Sequence, residues 1–212
     1  MRNVLIFGII SIFLVSSCEK DEEVINESVD YTPLSIGDYW VYENYSTDTF
    51  GIETILPQID SVIIDRDTII RGETYYVFEG TNYPNNQHWG ILNIVRDSAD
   101  CLVNLDGIIL FSLNNFSDVL YEDIRIFDTD TLYTYQYQME TITGSVVVPT
   151  GTYNDVLNYK GTFNINNPMN GVTNPRYSNN YYAPDIGMIM ETCFYFSTPT
   201  IYGRRLISYN IQ

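Results

Sequence analysis

From Tyr31 onward, apolar and aromatic side chains recur mainly at every second position, in short runs separated by clusters of Asn, Asp, Gly and Pro. A period of two puts alternate side chains on opposite faces of an extended chain, so the pattern predicts β-strands. The first covers residues 38–45, with Trp40 and Tyr42 on one face and Tyr39, Val41 and Tyr45 on the other. Further strands are predicted over residues 59–64, 68–70, 74–78, 89–96, 101–104 and 108–111, with Arg71-Gly72 and Asp106-Gly107 as turns. The alternation is clearest over residues 132–142, where Tyr133, Tyr135, Tyr137 and Met139 share one face and Thr134, Gln136, Gln138 and Glu140 the other. Segments 146–148, 153–163, 186–196 and 201–209 complete the set; residues 164–180 read as an Asn-rich loop, and only residues 115–121 favour a helical turn or two.

About ten antiparallel strands and little helix make an all-β chain. A flat sheet of that width buries its apolar face poorly, so a strongly curved sheet, an open barrel or a sandwich is expected. No repeat of fixed period is visible, which disfavours propellers and solenoids. Residues 31–212 form a single domain in this reading.

The segment ahead of it has a different character. Arg2 gives a positive start, and Val4 to Val15 is an apolar run of twelve residues interrupted only by Ser11 and closed by Ser16-Ser17-Cys18. As a helix the run spans about 18 Å, too short for a hydrocarbon core of about 30 Å, so residues 1–17 read as a cleaved signal peptide. Val15-Ser16-Ser17-Cys18 resembles the bacterial lipobox, which implies a diacylglyceryl thioether on Cys18 and an acylated new N-terminus. Buried acyl chains worth about 0.8 kcal/mol per methylene would then hold the protein on a membrane with no spanning helix. Residues 18–30 begin Cys-Glu-Lys-Asp-Glu-Glu and form an acidic linker. Acids just after the lipidated cysteine also resemble the signal that sends lipoproteins to the outside of the outer membrane in certain gut and gliding Gram-negative bacteria.

Charge narrows the chemistry. Removal of residues 1–17 takes away Arg2 and no acid, leaving nine basic side chains against 27 acidic ones, a charge of −18. Such a surface repels phosphate backbones, so no nucleic-acid partner is expected. His88 is the single histidine, which excludes multi-histidine metal centres and leaves one ring for any Ser-His or Cys-His pair.

Three short motifs carry a further resemblance. Pro33-Leu34-Ser35-Ile36-Gly37-Asp38-Tyr39-Trp40-Val41-Tyr42 resembles the "PL-x-x-G-x-x-W-x-Y" opening of a set of uncharacterised lipid-anchored envelope proteins. Val148-Pro149-Thr150-Gly151-Thr152-Tyr153-Asn154-Asp155-Val156-Leu157 and Tyr182-Ala183-Pro184-Asp185-Ile186-Gly187-Met188-Ile189 are similar to later segments of the same set. The resemblance implies a curved β-sheet or open-barrel module and brings no catalytic residues with it.

Several side chains are candidates for a site. Tyr177, Tyr181 and Tyr182 border the predicted Asn-rich loop, where function concentrates, and are the expected ligand contacts. The stripe Tyr133, Tyr135, Tyr137 offers a stacking surface but fits equally the buried face of a strand. His88-Trp89 stands at a strand entrance. Asp65-Arg66-Asp67 and Asp128-Thr129-Asp130 lack the full calcium-loop pattern. Cys101 and Cys193 alternate with different neighbours and are expected to be independent thiols rather than a disulfide.

No nucleophile, base and metal set converges, so no catalytic residue, metal or cofactor is assigned. The expected function is a non-enzymatic binding or structural module of the cell envelope, recognising a protein, glycan or lipid-like ligand. The alternatives are a glycan-active enzyme built on paired carboxylates and a lipid carrier with an apolar cavity. Intact mass of protein purified from native membranes should show the loss of residues 1–17 and an acyl addition on Cys18; a retained, unmodified leader contradicts the reading.

Overall fold

The computed structural model describes residues 29–83, 85–168 and 171–212. The signal segment, Cys18 and the linker as far as residue 28 lie outside the described residues. Ordered structure is in place by Asp30, whose amide donates to Asp185 Oδ1 at 3.1 Å while its carbonyl accepts from the Asp185 amide at 2.6 Å.

Fourteen strands occur among the described residues: β1 (Tyr39–Thr47), β2 (Glu53–Ile70), β3 (Glu73–Asn82), β4 (Asn86–Asp97), β5 (Cys101–Asn104), β6 (Ile109–Ser112), β7 (Tyr121–Phe127), β8 (Asp130–Thr141), β9 (Val146–Val148), β10 (Gly151–Tyr153), β11 (Leu157–Ile165), β12 (Arg176–Ala183), β13 (Gly187–Phe194) and β14 (Ile201–Asn210). Twelve of them form one antiparallel sheet in the order β6-β5-β4-β3-β2-β1-β14-β13-β12-β11-β8-β7, and β9-β10 is a separate hairpin. The all-β single domain therefore stands, as a nearly closed, barrel-like curved sheet.

Local chemistry explains most boundaries. Arg71 and Gly72 both take positive φ at the β2–β3 turn, as do Ala99 and Asp100 between β4 and β5. Pro57, which cannot donate to a ladder, sits in β2 where the pairing with β1 slips between Glu43 and Tyr45. Three sequence expectations are corrected. Residues 59–64 and 68–70 belong to one 18-residue strand, continuous through a bulge opposite β3. No helical turn forms over residues 115–121; instead Tyr121 opens β7, which the sequence reading omitted because both its faces are largely exposed and no alternation marks it. The region 164–180 is not all loop, since β12 starts at Arg176, inside it. The guanidinium of Arg176 donates to the carbonyls of Tyr195, Thr198, Pro199 and Thr200 and lies 4.2 Å from the Phe194 ring centroid, so one buried cation ties β12 to the β13–β14 loop.

The three motifs converge on one core cluster. Trp40 and Tyr42 pack with Val62, Ile64, Val146, Val148, Val156, Ile186, Ile189 and Leu206. Trp40 Nε1 donates to the Ile186 carbonyl at 2.7 Å and the Tyr42 hydroxyl to the Met188 carbonyl at 2.8 Å, which joins the first motif to the third. Gly187 is required there: its φ is +90°, and a Cβ would lie 3.3 Å from Pro33 and 3.5 Å from Trp40.

A second cluster closes the curl. Phe111 of β6 packs with Met139, Leu157 and Tyr159, and its ring meets Tyr31 at 6.0 Å and Tyr182 at 4.8 Å. The Tyr159 hydroxyl donates to the Ile109 carbonyl on the open edge of β6 at 2.7 Å. The connection from β6 to β7 crosses the same seam, with Gln138 Nε2 donating to the Phe116 carbonyl and the Leu120 amide to that of Tyr137. At the other edge β7 has only β8 as a partner, and Phe127 there is 73% exposed.

Tyr159→Phe should lower unfolding stability in urea by about 1 kcal/mol, the usual worth of one such hydrogen bond, whereas Tyr177→Phe at an exposed position should change it by less than about 0.5 kcal/mol.

Candidate functional site

Curling the sheet leaves a cavity of about 280 Å³ between the two core clusters. Its apolar wall comes from Trp40 of β1, Phe78 of β3, Leu92 of β4, Leu102 of β5 and Leu110 of β6; Tyr159, Asn180 and Tyr182 face them from β11 and β12. The segment Thr32–Leu34, just beyond the linker, also borders it.

One side of the wall is charged. Arg204 of β14 pairs with Glu191 of β13, Nε to Oε2 at 2.7 Å, and only 7% of the arginine side chain is exposed. Its guanidinium lies 4.7 Å from the Tyr42 ring centroid. Behind it Asn44 Nδ2 donates to Asp60 Oδ2 at 3.0 Å, and both residues are buried. Burial alone would lower the arginine's pKa, but the negative charge of Glu191, with that of Asp60, outweighs it and holds the guanidinium charged. Burial also pushes the hydroxyls of Tyr42 and Tyr182 well above the ordinary tyrosine range, so both remain neutral hydrogen-bonding groups. Nη1 of Arg204 is buried and has no hydrogen-bond partner among the described residues.

Sequence reasoning passed over Arg204 and Glu191, although a signal was present. Arg204-Arg205 lies within a strand, and neighbouring strand residues point to opposite faces, so one of two successive arginines has to point inward. Arg205 takes the outer side, bridging Glu43 at 2.7 Å and Glu53 at 3.0 Å.

The expected tyrosine contacts are not brought together. All three lie on β12 rather than on a loop, and strand geometry separates them. Tyr182 lines the cavity, Tyr181 packs against the cluster around Trp40, and Tyr177 is 45% exposed on a shelf with Gln136, Gln138, Glu140, Lys160 and Thr162. On that shelf Lys160 Nζ meets Glu140 at 3.1 Å and covers the Tyr177 ring at 4.9 Å, which occupies the face a stacking ligand would need. The tyrosine stripe of β8 is likewise engaged. Tyr133 stacks on Phe196 at 4.2 Å, Tyr135 on Phe163 at 5.3 Å and Tyr137 on Tyr159 at 4.8 Å.

The remaining candidates are placed apart from the cavity. His88 and Trp89 are exposed residues of β4. Arg66 bridges Asp65 and Glu79, each at 2.6 Å, and Asp128 forms the β7–β8 turn with φ 56°. Among the described residues no group of three or more His, Cys, Asp or Glu side chains is arranged to hold a metal ion. Cys101 and Cys193 are free thiols on β5 and β13.

No protein-family model matches the chain, and no curated protein matches its sequence. Among solved structures it is similar to a putative exported protein with a YmcC-like fold from Bacteroides fragilis, at 15% identity over 86% of this chain and 100% of that one, with a TM-score of 0.47. It is also similar to a putative lipoprotein from Parabacteroides distasonis, at 14% identity over 87% of this chain and 100% of that one, with a TM-score of 0.49. Neither supplies a ligand or an activity for this chain.

Burial, then Glu191, pushes the Cys193 thiol up to about 12 against an opposing pull from Arg204. It should therefore resist a thiolate-selective reagent at pH 8 until the protein is unfolded, when both Cys101 and Cys193 react. The raised value also fixes the sign with pH. The unfolded chain loses this proton first, so the thiol's contribution to stability is complete below pH about 9 and declines as pH rises towards 12.

Proposed function

We propose that this chain is a lipid-anchored protein of the cell envelope, tethered through Cys18 to the bacterial outer membrane, and that its domain is a non-enzymatic binding module. The observation that carries the binding assignment is the interior cavity, with one apolar wall and one wall bearing a fixed charged pair. Concave sites that combine apolar lining with a few placed polar groups are what small ligands select. Cys18 and the acidic residues after it support the location.

Binding is favoured over catalysis because the acid and base of the cavity are committed to each other at 2.7 Å. Hydrolysis by paired carboxylates needs one of them free to exchange a proton with substrate. A carrier for whole lipids fits less well, since about 280 Å³ lies at the small end of ligand pockets, which run to about 1,000 Å³. Of the three tyrosines singled out from sequence, Tyr182 is kept as a ligand contact, while Tyr177 and Tyr181 lie outside the cavity. A side-chain charge of −18 on the mature chain supports partners other than nucleic acid.

In cells fed an alkynyl fatty acid, the wild-type chain should be labelled and sediment with outer membranes, and Cys18→Ser should do neither. Native mass spectrometry of the membrane-extracted protein should reveal a small non-covalent adduct. That adduct should disappear in Leu102→Trp, which fills the cavity; an adduct that survives unchanged places the ligand elsewhere.

A further inference from the structure

Among the described residues, those lining the cavity all stand in strands of the twelve-stranded sheet except Thr32, Pro33 and Leu34. A strand leaves its place only by giving up ladder hydrogen bonds, whereas residues 30–34 belong to no ladder, so this strap is the wall segment that opens with the smallest loss. Its fastenings are few and lie at the surface. The Asp30 amide donates to Asp185 Oδ1 at 3.1 Å, the Asp185 amide to the Asp30 carbonyl at 2.6 Å, and the Tyr31 hydroxyl to the Asp155 carbonyl at 2.7 Å. Water replaces such bonds as the strap lifts, so each contributes little net hold. The far end is fixed. Asp38 is buried, accepts the Ser35 amide on Oδ2 and the Gln212 amide on Oδ1, and its carbonyl accepts from the Ile64 amide at 2.9 Å. We propose that residues 30–34 are a lid: small ligands enter and leave the cavity as the Asp30–Asp185 and Tyr31–Asp155 contacts part and the strap swings about Ser35–Asp38. This rests on the cavity being the binding site proposed above.

The seam at β6 is the rival exit. It is held by one comparable bond, from the Tyr159 hydroxyl to the Ile109 carbonyl at 2.7 Å. Moving β6, however, either breaks its pairing with β5 or pulls β5 off β4, and it draws Phe111, 2% exposed, away from Met139, Leu157 and Tyr159. Lifting the strap breaks no strand pairing, takes the Tyr31 ring off Phe111, and moves Pro33 from beside Gly187 and Trp40. Under the tether proposed above, the chain from Cys18 joins the domain at this lid, so ligand passes on the anchored side and one segment serves both attachment and entry.

The test places a thiol in the cavity wall and times its capture. Leu92→Cys in the lipidated full-length chain, held in phospholipid nanodiscs, is treated with methyl methanethiosulfonate at pH 8, and fragment masses separate its labelling from that of Cys101 and Cys193. A thiol reached only through brief openings is captured in proportion to the open population. Tyr31→Phe and Tyr159→Phe each delete one hydroxyl bond of 2.7 Å, the first on the strap and the second on the seam. Added to Leu92→Cys, Tyr31→Phe is expected to speed capture about fivefold, the shift of one ordinary hydrogen bond, and Tyr159→Phe by less than about twofold. The lid is overturned if Tyr159→Phe matches or exceeds Tyr31→Phe, if Tyr31→Phe changes nothing while capture outpaces global unfolding, or if the introduced thiol already reacts as fast as a free one. In those three outcomes the cavity is still reached and the binding reading stands. If capture in every chain is no faster than the unfolding measured in urea allows, the cavity is sealed in the folded protein, and the binding reading fails together with the lid. Leu102→Cys carries the same comparison should Leu92→Cys not fold.

Discussion

The interior of this protein exists because a sheet that never completes its hydrogen-bonded ring is closed by side chains. β6 and β7 are both edges, each with one ladder partner. Across the gap, Tyr159 caps a β6 carbonyl, Phe111 inserts between Tyr31 and Tyr182, and the residues joining β6 to β7 hydrogen-bond to β8. A full backbone ladder would fix the radius of the ring by strand number and tilt. A seam of rings and a few hydrogen bonds fixes only how closely one edge approaches the opposite face, and the cavity is what that approach leaves open.

The two ends of the interior solve burial differently. Around Trp40 the core is apolar, and its polar atoms are matched to the backbone carbonyls of Ile186 in the β12–β13 turn and Met188 at the start of β13. Beyond Tyr42 it becomes a layer of charge and amide, in which Asn44, Asp60, Glu191 and Arg204 are held together. Such a layer is costly to desolvate and is often replaceable by well-packed apolar residues with no loss of stability. Its position beside the cavity is one of the grounds for the binding reading proposed above.

Period-two alternation made the fold class legible wherever one face of a strand is buried and the other wet, as in β1 and β8. It failed where both faces are alike. β7 is exposed on both sides, and β12 reads Arg-Tyr-Ser-Asn-Asn-Tyr-Tyr-Ala, whose asparagines suggest a loop although Asn179 and Asn180 are bonded into the sheet. The motif containing Trp40 was legible as a core-forming entry, and the structure adds that all three motifs meet in one cluster. The cavity pair was harder, because Glu191 and Arg204, 13 residues apart, face each other only through the β13–β14 register, which the sequence pattern alone does not set. A tyrosine-rich composition drew attention to rings that are, for the most part, packed against one another.

Under the membrane tether proposed above, the open edge of β7 gains a particular importance. A tethered protein is confined to two dimensions, where neighbouring copies meet far more often than the same number would in free solution, and an open strand edge offering Ile124, Ile126 and Phe127 is a template for sheet-to-sheet annealing. The same strand carries Glu122 and Asp123, and the body behind it bears a large excess of negative charge. Mutual repulsion between identical acidic bodies opposes that approach, so the negative charge of the chain works against annealing of the exposed edges.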